Sequence, residues 1–551
     1  MKKLLLLLLL AIVGQHVLAQ ASLEIVLLDS LQAPVVFHPL RISNPQIGYE
    51  KQAETDAQGK VQLDGLSTSG LYQIEVPASG FYEAQQRGNI ALISDKTTTV
   101  TLVLGEAVIA IDAVTVRAGR YQTINAINAE VASELSVREI TELPVEGRDI
   151  SRALYRLPNI TQATGFFPEA PNVAINGANS LYTNYQIDGL DNNENFLGGQ
   201  RFPIPVGFTQ NITALTNNFS AEHGLTSNGI INITTKSGTN ENTGEVFYVT
   251  RPGPAIDSPS PFAQRDLSGN QVRDGFQRHQ LGFGMGGAVV KDKTFYYLNA
   301  EHTTDLKDNL LNVPQLGINE TVEGRNRFTY LSAKIDHHWS TKFRSSLRIN
   351  NGRVGIERQG GGLEGGVTFP SAGNEQQRNS LNVALKNTLV GEHFTYEGNY
   401  LFGAFRWDYA NPANQSPNVT VLDPSGVTLA VLGHPGYVFD ERENTQVLQQ
   451  KLTFYRGKHR IKTGLQFKSS DFELFGGGNP FGSYLVQLNS AQLEQLRAAG
   501  VGSGLQPSDL PSDVQVLNYS TELRPNSFTQ RQNILSLYLE DQWSVNARLN
   551  L

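Results

Sequence analysis

Between residues 331 and 350 the chain alternates its side chains with a two-residue period. Leu331, Ala333, Ile335, His337 and Trp339 fall on one face, and Ser332, Lys334, Asp336 and His338 on the other. After a turn at 340–342, Phe343, Ser345, Leu347 and Ile349 alternate with Arg344, Ser346, Arg348 and Asn350. Such a period belongs to β-strands with one mostly apolar face and one mostly polar face. The layout recurs, less strictly, at 381–389 with 394–402 and at 448–454 with 461–467. A soluble sandwich would alternate likewise, but its strands usually run to about five or six residues. Strands of roughly ten, with short turns on one side and long loops on the other, are expected of an outer-membrane barrel. Turns as short as 456–459 do alternate with segments rich in Gly, Pro, Asn and Ser at 360–366, 411–436 and 476–524. The long segments are expected to face outside and carry ligand contacts, and the short turns to face the periplasm. Trp339, Tyr400, Trp407 and Trp543 lie near strand ends, where an aromatic girdle belongs, with loop packing an equal alternative for Trp407.

Composition agrees with this. A mean hydropathy of -0.27 with 39% hydrophobic residues excludes a multi-helix membrane protein but not a barrel, whose strands are half polar. The net charge of -8 argues against nucleic acid as a partner. With no cysteine, thiolate catalysis, Cys-ligated zinc and lipid acylation of a cysteine are excluded. At the start, Lys2 and Lys3 precede an apolar run over 4–13, and small residues reach Ala19. That layout predicts a secretory signal over 1–19, because the run is half the length of roughly 20 residues needed to span a bilayer.

Residues 20–106 carry short alternating strands with regular turns, which predicts a small β-sandwich. A β-prone run over 107–120 follows, centred on Asp112, Ala113, Val114, Thr115 and Val116. Helical patches are expected around Ile140, Leu143, Ile150, Leu154 and Leu157, with Asp149 or Ser151 as caps and Pro158 as a stop. Over 173–244, two short β runs at 184–187 and 230–235 stand among Gly/Asn turns, including Asn176-Gly177 and Asp188-Gly189. Asp188, Asp191 and Glu194 lie close together but lack calcium-loop spacing, so a turn is expected and no metal. Gly282 to Gly287 has dinucleotide-like glycines, yet a strand, a Lys-Asp-Lys turn and another strand follow, which predicts a hairpin.

The segments NGANS, YQIDGLDNNE and GIINITTKSGTNENTG, in that order, resemble the plug domain of TonB-dependent outer-membrane transporters. The likeness is nearest to the Oar-like group, whose N-terminal module is a non-catalytic carboxypeptidase-regulatory-like domain. TDAQGK, Gly65-Leu66, Gly70-Leu71-Tyr72 and Gly80-Phe81 match that module. The resemblance implies a mainly β protein: a β-sandwich over 20–106, a linker over 107–120, a mixed α/β plug over 121–240, and the first part of an antiparallel transmembrane β-barrel over 241–551. It implies that Asp112 to Val116 form a TonB box, which adds as a strand to a periplasmic energy-coupling protein. It marks Asn176, Gly177, Asp188, Gly189, Lys236 and Gly238 as plug motif residues. Asn176 stands where the family usually has Arg, so that residue's salt bridge to the barrel is not implied here. Asn159 stands for the family's Gly after Pro158, a position Asn tolerates in left-handed conformation.

The family barrel has roughly 22 strands. About ten are counted here, with Arg548 beginning another, so a truncated chain and an open half-barrel around the plug are expected. The implied function is capture of an extracellular ligand (siderophore, glycan, peptide or other) and energised import, with no cofactor. Outer-membrane lipid and a TonB-type protein are the implied partners, with a surface lipoprotein as a further one. The alternative is a structural, adhesive or protein-secretion role in the same membrane. A hydrolase is disfavoured, since no GxSxG, HExxH or paired-carboxylate motif occurs.

Overall fold

The computed structural model describes residues 21–105, 130–142, 148–163, 173–253 and 276–551, with short breaks at 30–31, 78, 80–81, 83, 94–95, 363–365, 392, 480, 523–526 and 547–548. The expected signal at 1–19 and the run at 112–116 lie outside the described residues.

The N-terminal unit is a sandwich of seven strands: β1 (Ala21–Asp29), β2 (Pro39–Asn44), β3 (Tyr49–Glu54), β4 (Lys60–Leu66), β5 (Tyr72–Val76), β6 (Gln85–Ile90) and β7 (Thr97–Leu104). One sheet has the order β4-β1-β7, with β1 and β7 parallel, and the other β3-β2-β5-β6. Leu23, Ile25 and Leu27 alternate inward from β1 against Ile42, Tyr72 and Ile74, which fixes the two sheets face to face.

The plug follows. It comprises β8 (Val131–Ser136), α1 (Val137–Glu142), α2 (Ile150–Leu154), β9 (Ile160–Gln162), β10 (Val173–Ile175), β11 (Thr183–Ile187), β12 (Leu190–Asp191), β13 (Thr209–Asn217) and β14 (Gly229–Thr235). Five strands form a mixed sheet, β12-β11-β14-β13-β8, in which β11 and β14 run parallel. Asp149 caps α2 by accepting from Ser151 N at 2.9 Å. Asn159 takes φ 63, the left-handed conformation expected after Pro158. Ile140, Ile150, Leu154 and Leu157 pack with Ile187, Ile212 and Ile233 in one core.

The rest of the chain builds β15 (Thr243–Arg251), β16 (Gln277–Val290), β17 (Thr294–Val313), β18 (Ile318–His338), β19 (Phe343–Arg358), β20 (Asn374–Val390) and β21 (Phe394–Pro412). Next come β22 (Asn418–Leu422), β23 (Thr428–Gly433), β24 (Tyr437–Arg456), β25 (His459–Gly478), β26 (Ser483–Gln487), α3 (Ser490–Ala499), β27 (Gln515–Ser520), β28 (Ser527–Asn546) and β29 (Leu549–Asn550). Among the described residues eleven of these strands form one antiparallel sheet running from β15 to β29, whose two edges are not paired with each other. The glycine run 282–287 is strand β16, paired with β17 across the 291–293 turn, as expected of a hairpin.

Three expectations need correction. The wall strands β16 to β21, β24, β25 and β28 run to 14 to 21 residues rather than about ten. Roughly ten residues cross the hydrocarbon, and pairing continues beyond it, as in β17 and β18, which stay in register to Val313 and Ile318. The long segments at 411–436 and 476–524 contain a folded unit rather than loops alone. Their strands form a four-stranded sheet, β23-β22-β26-β27, and α3 adds Leu496 to a core with Val421, Leu432 and Phe369. Trp407 is not in a girdle: it points inward and is buried against Phe196 of the plug and Phe439.

The sheet is inside-out relative to a soluble protein. Leu281, Leu331, Ile335, Ile349 and Leu385 are exposed on its outer face, whereas Lys334, Arg348, Asn350, Asn382 and Lys386 are buried on its inner face. The inner face meets the plug.

Candidate functional site

The chemistry of this protein is concentrated where the plug touches the barrel wall. Asp188 and Gly189 make the reversal from β11 to β12 with φ of 52 and 78, a pair of left-handed positions that Asp and Gly supply most easily. The Asp188 carboxylate accepts from Thr235 N at 2.8 Å and Thr235 Oγ1 at 2.9 Å, tying the turn to the end of β14. The turn is also a wall contact. Arg348 Nε of β19 lies 3.1 Å from Asp188 Oδ2, and Lys386 Nζ of β20 donates to the Asp188 carbonyl at 2.5 Å. Lys334 Nζ of β18 donates to Thr235 Oγ1 at 3.1 Å. Burial pushes the Asp188 acid up, but Lys334, Arg348 and Lys386 together hold it below its ordinary value.

A second cluster lies further along the same lumen. The fully buried Arg201 places Nη2 3.3 Å from Asp191 Oδ2 and 3.3 Å from Glu443 Oε1 of β24. Lys468 of β25 reaches Asp191 Oδ2 at 3.1 Å, and Asn195 donates to Glu443 through its backbone and side-chain nitrogens, each at 2.7 Å. Burial raises the Asp191 acid, while Lys468 and Arg201 bring it below its usual range. Glu194 instead caps its own loop, accepting from the backbone of Phe196 at 2.7 Å and Gly199 at 2.6 Å. The three neighbouring carboxylates therefore have separate partners and do not converge on one point. Beside them, the buried Glu441 has both carboxylate oxygens without a hydrogen-bond partner among the described residues, as has the Trp407 indole nitrogen.

The third cluster is toward the short-turn side. Glu222 sits 2.7 Å from Lys462 Nζ and 3.2 Å from Lys451 Nζ, while Ser220 Oγ and Ala221 N donate to Glu540 at 2.6 and 2.8 Å. Burial opposes the charge on Glu222, yet Lys462 and Lys451 hold its acid well below the carboxylate range.

The remaining motif residues divide into two roles. Asn176 and Gly177 form a left-handed turn with φ of 55 and 70, and Asn176 Nδ2 donates to the Thr216 carbonyl at 2.8 Å. Those bonds stay inside the plug. Lys236 and Gly238 lie where the plug passes into the wall. Lys236 Nζ is 3.7 Å from Glu245 and above the Tyr297 ring, and burial lowers its pKa. Gly238 runs so close to β16 and β17 that an added Cβ would overlap the Gly287 and Tyr296 carbonyl oxygens. Arg201, Glu222, Glu443 and Lys468 were not singled out from the sequence. For Glu443 and Lys468 a signal was present: each is charged on the inward-facing side of an alternating strand.

A sheet with an apolar outer face and a charged inner face, filled by a separate mixed domain, defines a plugged outer-membrane barrel protein. The outer membrane beta barrel domain family matches residues 234–319 and 312–551, more than half of the chain. The chain belongs to that family, and its plug-in-barrel architecture is that of the TonB-dependent outer-membrane receptors.

Among curated proteins it is similar to the TonB-dependent transporter Oar of Myxococcus xanthus, 23% identical over 600 residues, covering 92% of this chain and 54% of that protein. Among solved structures it resembles the outer membrane transporter YddB from Escherichia coli at 14% identity, with a TM-score of 0.53 over 76% of this chain and 56% of that one. The siderophore receptor PirA from Acinetobacter baumannii aligns at 16% identity and a TM-score of 0.49, over 75% of this chain and 54% of that one. The chain thus spans about half the length of the relatives it matches. The first two are transporters by name.

Proposed function

We propose that this chain carries the plug and first wall strands of an energised importer. The protein captures an extracellular ligand, and a TonB-type protein in the periplasm supplies the work that displaces the plug. The observation that carries this reading is the sealing of the plug by buried ion pairs at Asp188, Arg201 and Glu222. Displacing the plug parts these pairs from the wall together, which supports a step driven by energy delivered from outside the barrel. In this reading Asp112 to Val116 are the segment pulled, and Asn176, Gly177, Asp188, Gly189, Lys236 and Gly238 shape and seat the plug. The ligand class is a siderophore, glycan or peptide, and a surface lipoprotein is a further candidate partner. The folded unit built by β22, β23, β26 and β27 is placed to meet the ligand first.

The test is uptake from a panel of labelled ferric chelates, glycans and peptides by cells carrying the full-length gene. Uptake should be lost on deletion of residues 112–116, and on adding a protonophore, while surface expression persists. Uptake indifferent to both treatments would sink the energised reading and favour the structural or adhesive one.

A further inference from the structure

Phe295 and Tyr297 stand two residues apart on the same face of β17, yet they belong to different cores. Tyr297 is in the core of the plug, and its hydroxyl donates to the Gly207 carbonyl at 3.0 Å. Phe295, next to the short 291–293 turn, is fully buried in the core of the N-terminal sandwich. The sandwich therefore uses a barrel residue to complete its own interior. Further contacts come from other short-turn ends of the wall. Arg344 Nη2 of β19 donates to the Leu66 carbonyl at 2.7 Å, and Arg460 Nη1 of β25 donates to Thr97 Oγ1 at 3.1 Å. Gly65 meets Val390 so closely that an added Cβ would overlap its side chain, and Gly48 does the same with Asp292. The sandwich thus reaches from the β16–β17 turn to the start of β25. It also touches the plug: Lys96 Nζ is 4.0 Å from Glu134 Oε2 on β8, the edge strand of the plug sheet, and Asn240 N donates to the Gln46 carbonyl at 2.6 Å.

We propose that the N-terminal sandwich is a second gate, docked across the periplasmic mouth, which holds the plug in place until it undocks. This rests on the reading of the plug as the part that moves. In the docked state the edge of the plug sheet at β8 is backed by the sandwich, so local opening of that edge requires the sandwich to leave first. A module carried passively would leave the stability of β8 independent of Phe295 and Arg344.

The experiment is hydrogen exchange on the full-length protein, which resolves local opening element by element. Combining Phe295→Ala with Arg344→Ala should speed exchange over 131–136 at least tenfold, with β20, β21 and β24 unchanged. For the opposite arm, Gly48→Cys with Asp292→Cys adds a cysteine pair to residues 1–551, which hold no other cysteine. A Cβ added at Gly48 lies 3.0 Å from the Asp292 Cβ, and with φ of 67 and 63 at the two positions the disulfide forms with some backbone adjustment. The oxidised pair should slow exchange over 131–136, and reduction should restore it. The proposal is overturned if β8 keeps its protection in the Phe295/Arg344 variant, or if protection falls equally throughout the barrel. It is also overturned if the cross-linked pair leaves exchange over 131–136 unchanged. Neither readout uses transport, so a failed uptake experiment would leave the gate standing.

Discussion

Asp188 Oδ2 and Arg348 Nε are 3.1 Å apart, and both side chains are almost wholly buried. This pair joins a tight turn of the plug to the wall, and Lys334 and Lys386 flank it. Asp188 also satisfies the backbone of Thr235, so its carboxylate serves both the plug fold and the plug's seat.

Asp188→Asn should keep the turn but leave the wall cations without their counter-charge, at a cost of about 3–5 kcal/mol. The expected outcome is a lower urea midpoint for plug detachment, read by hydrogen exchange over 183–191, with the barrel still folded. An unchanged midpoint would mean that the pair contributes nothing to seating.

The same site sets an expected pH profile. Asp188, Asp191 and Glu222 all have acids held below their ordinary values in the folded protein. A depressed folded pKa means that the unfolded state binds protons first as pH falls. The stability these groups contribute is therefore present above the unfolded value, about 4, and is lost as pH drops through the lower folded values. Plug detachment should be insensitive to pH between about 5 and 8 and become easy below about 4. A midpoint that already falls between pH 7 and 6 would show that histidines, rather than these carboxylates, govern seating.

How far the sequence carried this picture depended on the range of the interactions. The wall was legible because a period of two is local: Leu331 to Trp339 announce their outer face without reference to any partner. The Asp188-Gly189 turn was legible for the same reason, since its left-handed backbone limits the residue types that fit. What was hidden is pairing at long separation. Nothing local to Glu222 points to Lys451 and Lys462, and Arg201 gives no hint of Glu443. Trp407 shows the same limit, because an aromatic near a strand end looks alike whether it faces lipid or lumen until Phe196 is placed beside it. The folded unit around β22 and β26 was obscured by its turn residues, which masked short parallel pairing between distant strands.

Gly238 offers a steric test. Its backbone passes the Tyr296 and Gly287 carbonyl oxygens with no room for a Cβ, and neither neighbour is the flexible end of a side chain. Gly238→Val should cost about 1–3 kcal/mol or more through forced backbone shifts. The measurement is the thermal midpoint of the full-length protein beside Gly224→Ala, where an added Cβ meets nothing within 4 Å. Equal midpoints for the two variants would refute the close approach.

Glu441 predicts a gain rather than a loss. Among the described residues both of its oxygens are buried without a partner, and so is the indole nitrogen of Trp407, its cross-strand neighbour. Leaving a buried polar group unsatisfied costs about 1–3 kcal/mol, and more when it is charged. Glu441→Met keeps the length and removes both unsatisfied oxygens, so unfolding should move to higher denaturant by a shift of about that size. A destabilised variant would reveal a partner that Glu441 holds in the membrane.

Arg201 and Glu443 decide whether the upper cluster acts as a unit. Arg201 serves Asp191, Glu443 and the Asn193 carbonyl at once from one planar guanidinium, and Glu443 in turn accepts two bonds from Asn195. Removing either side strands the other in a buried site, so each single change to alanine should cost several kcal/mol. Removing both takes away the charge and its stranded counterpart together. The double variant should therefore be less damaged than the sum of the singles, with a coupling of about 0.5–3 kcal/mol. Arg201→Lys should fall nearer to wild type than the alanine variant does, because the three acceptors converge on the single nitrogen Nη2 and an ammonium also donates three bonds from one atom. Denaturant midpoints of the four proteins, read by exchange over 192–201, give the coupling directly. Additive costs would mean that Arg201 and Glu443 are seated independently, and the plug would then be held by separate contacts rather than by one network.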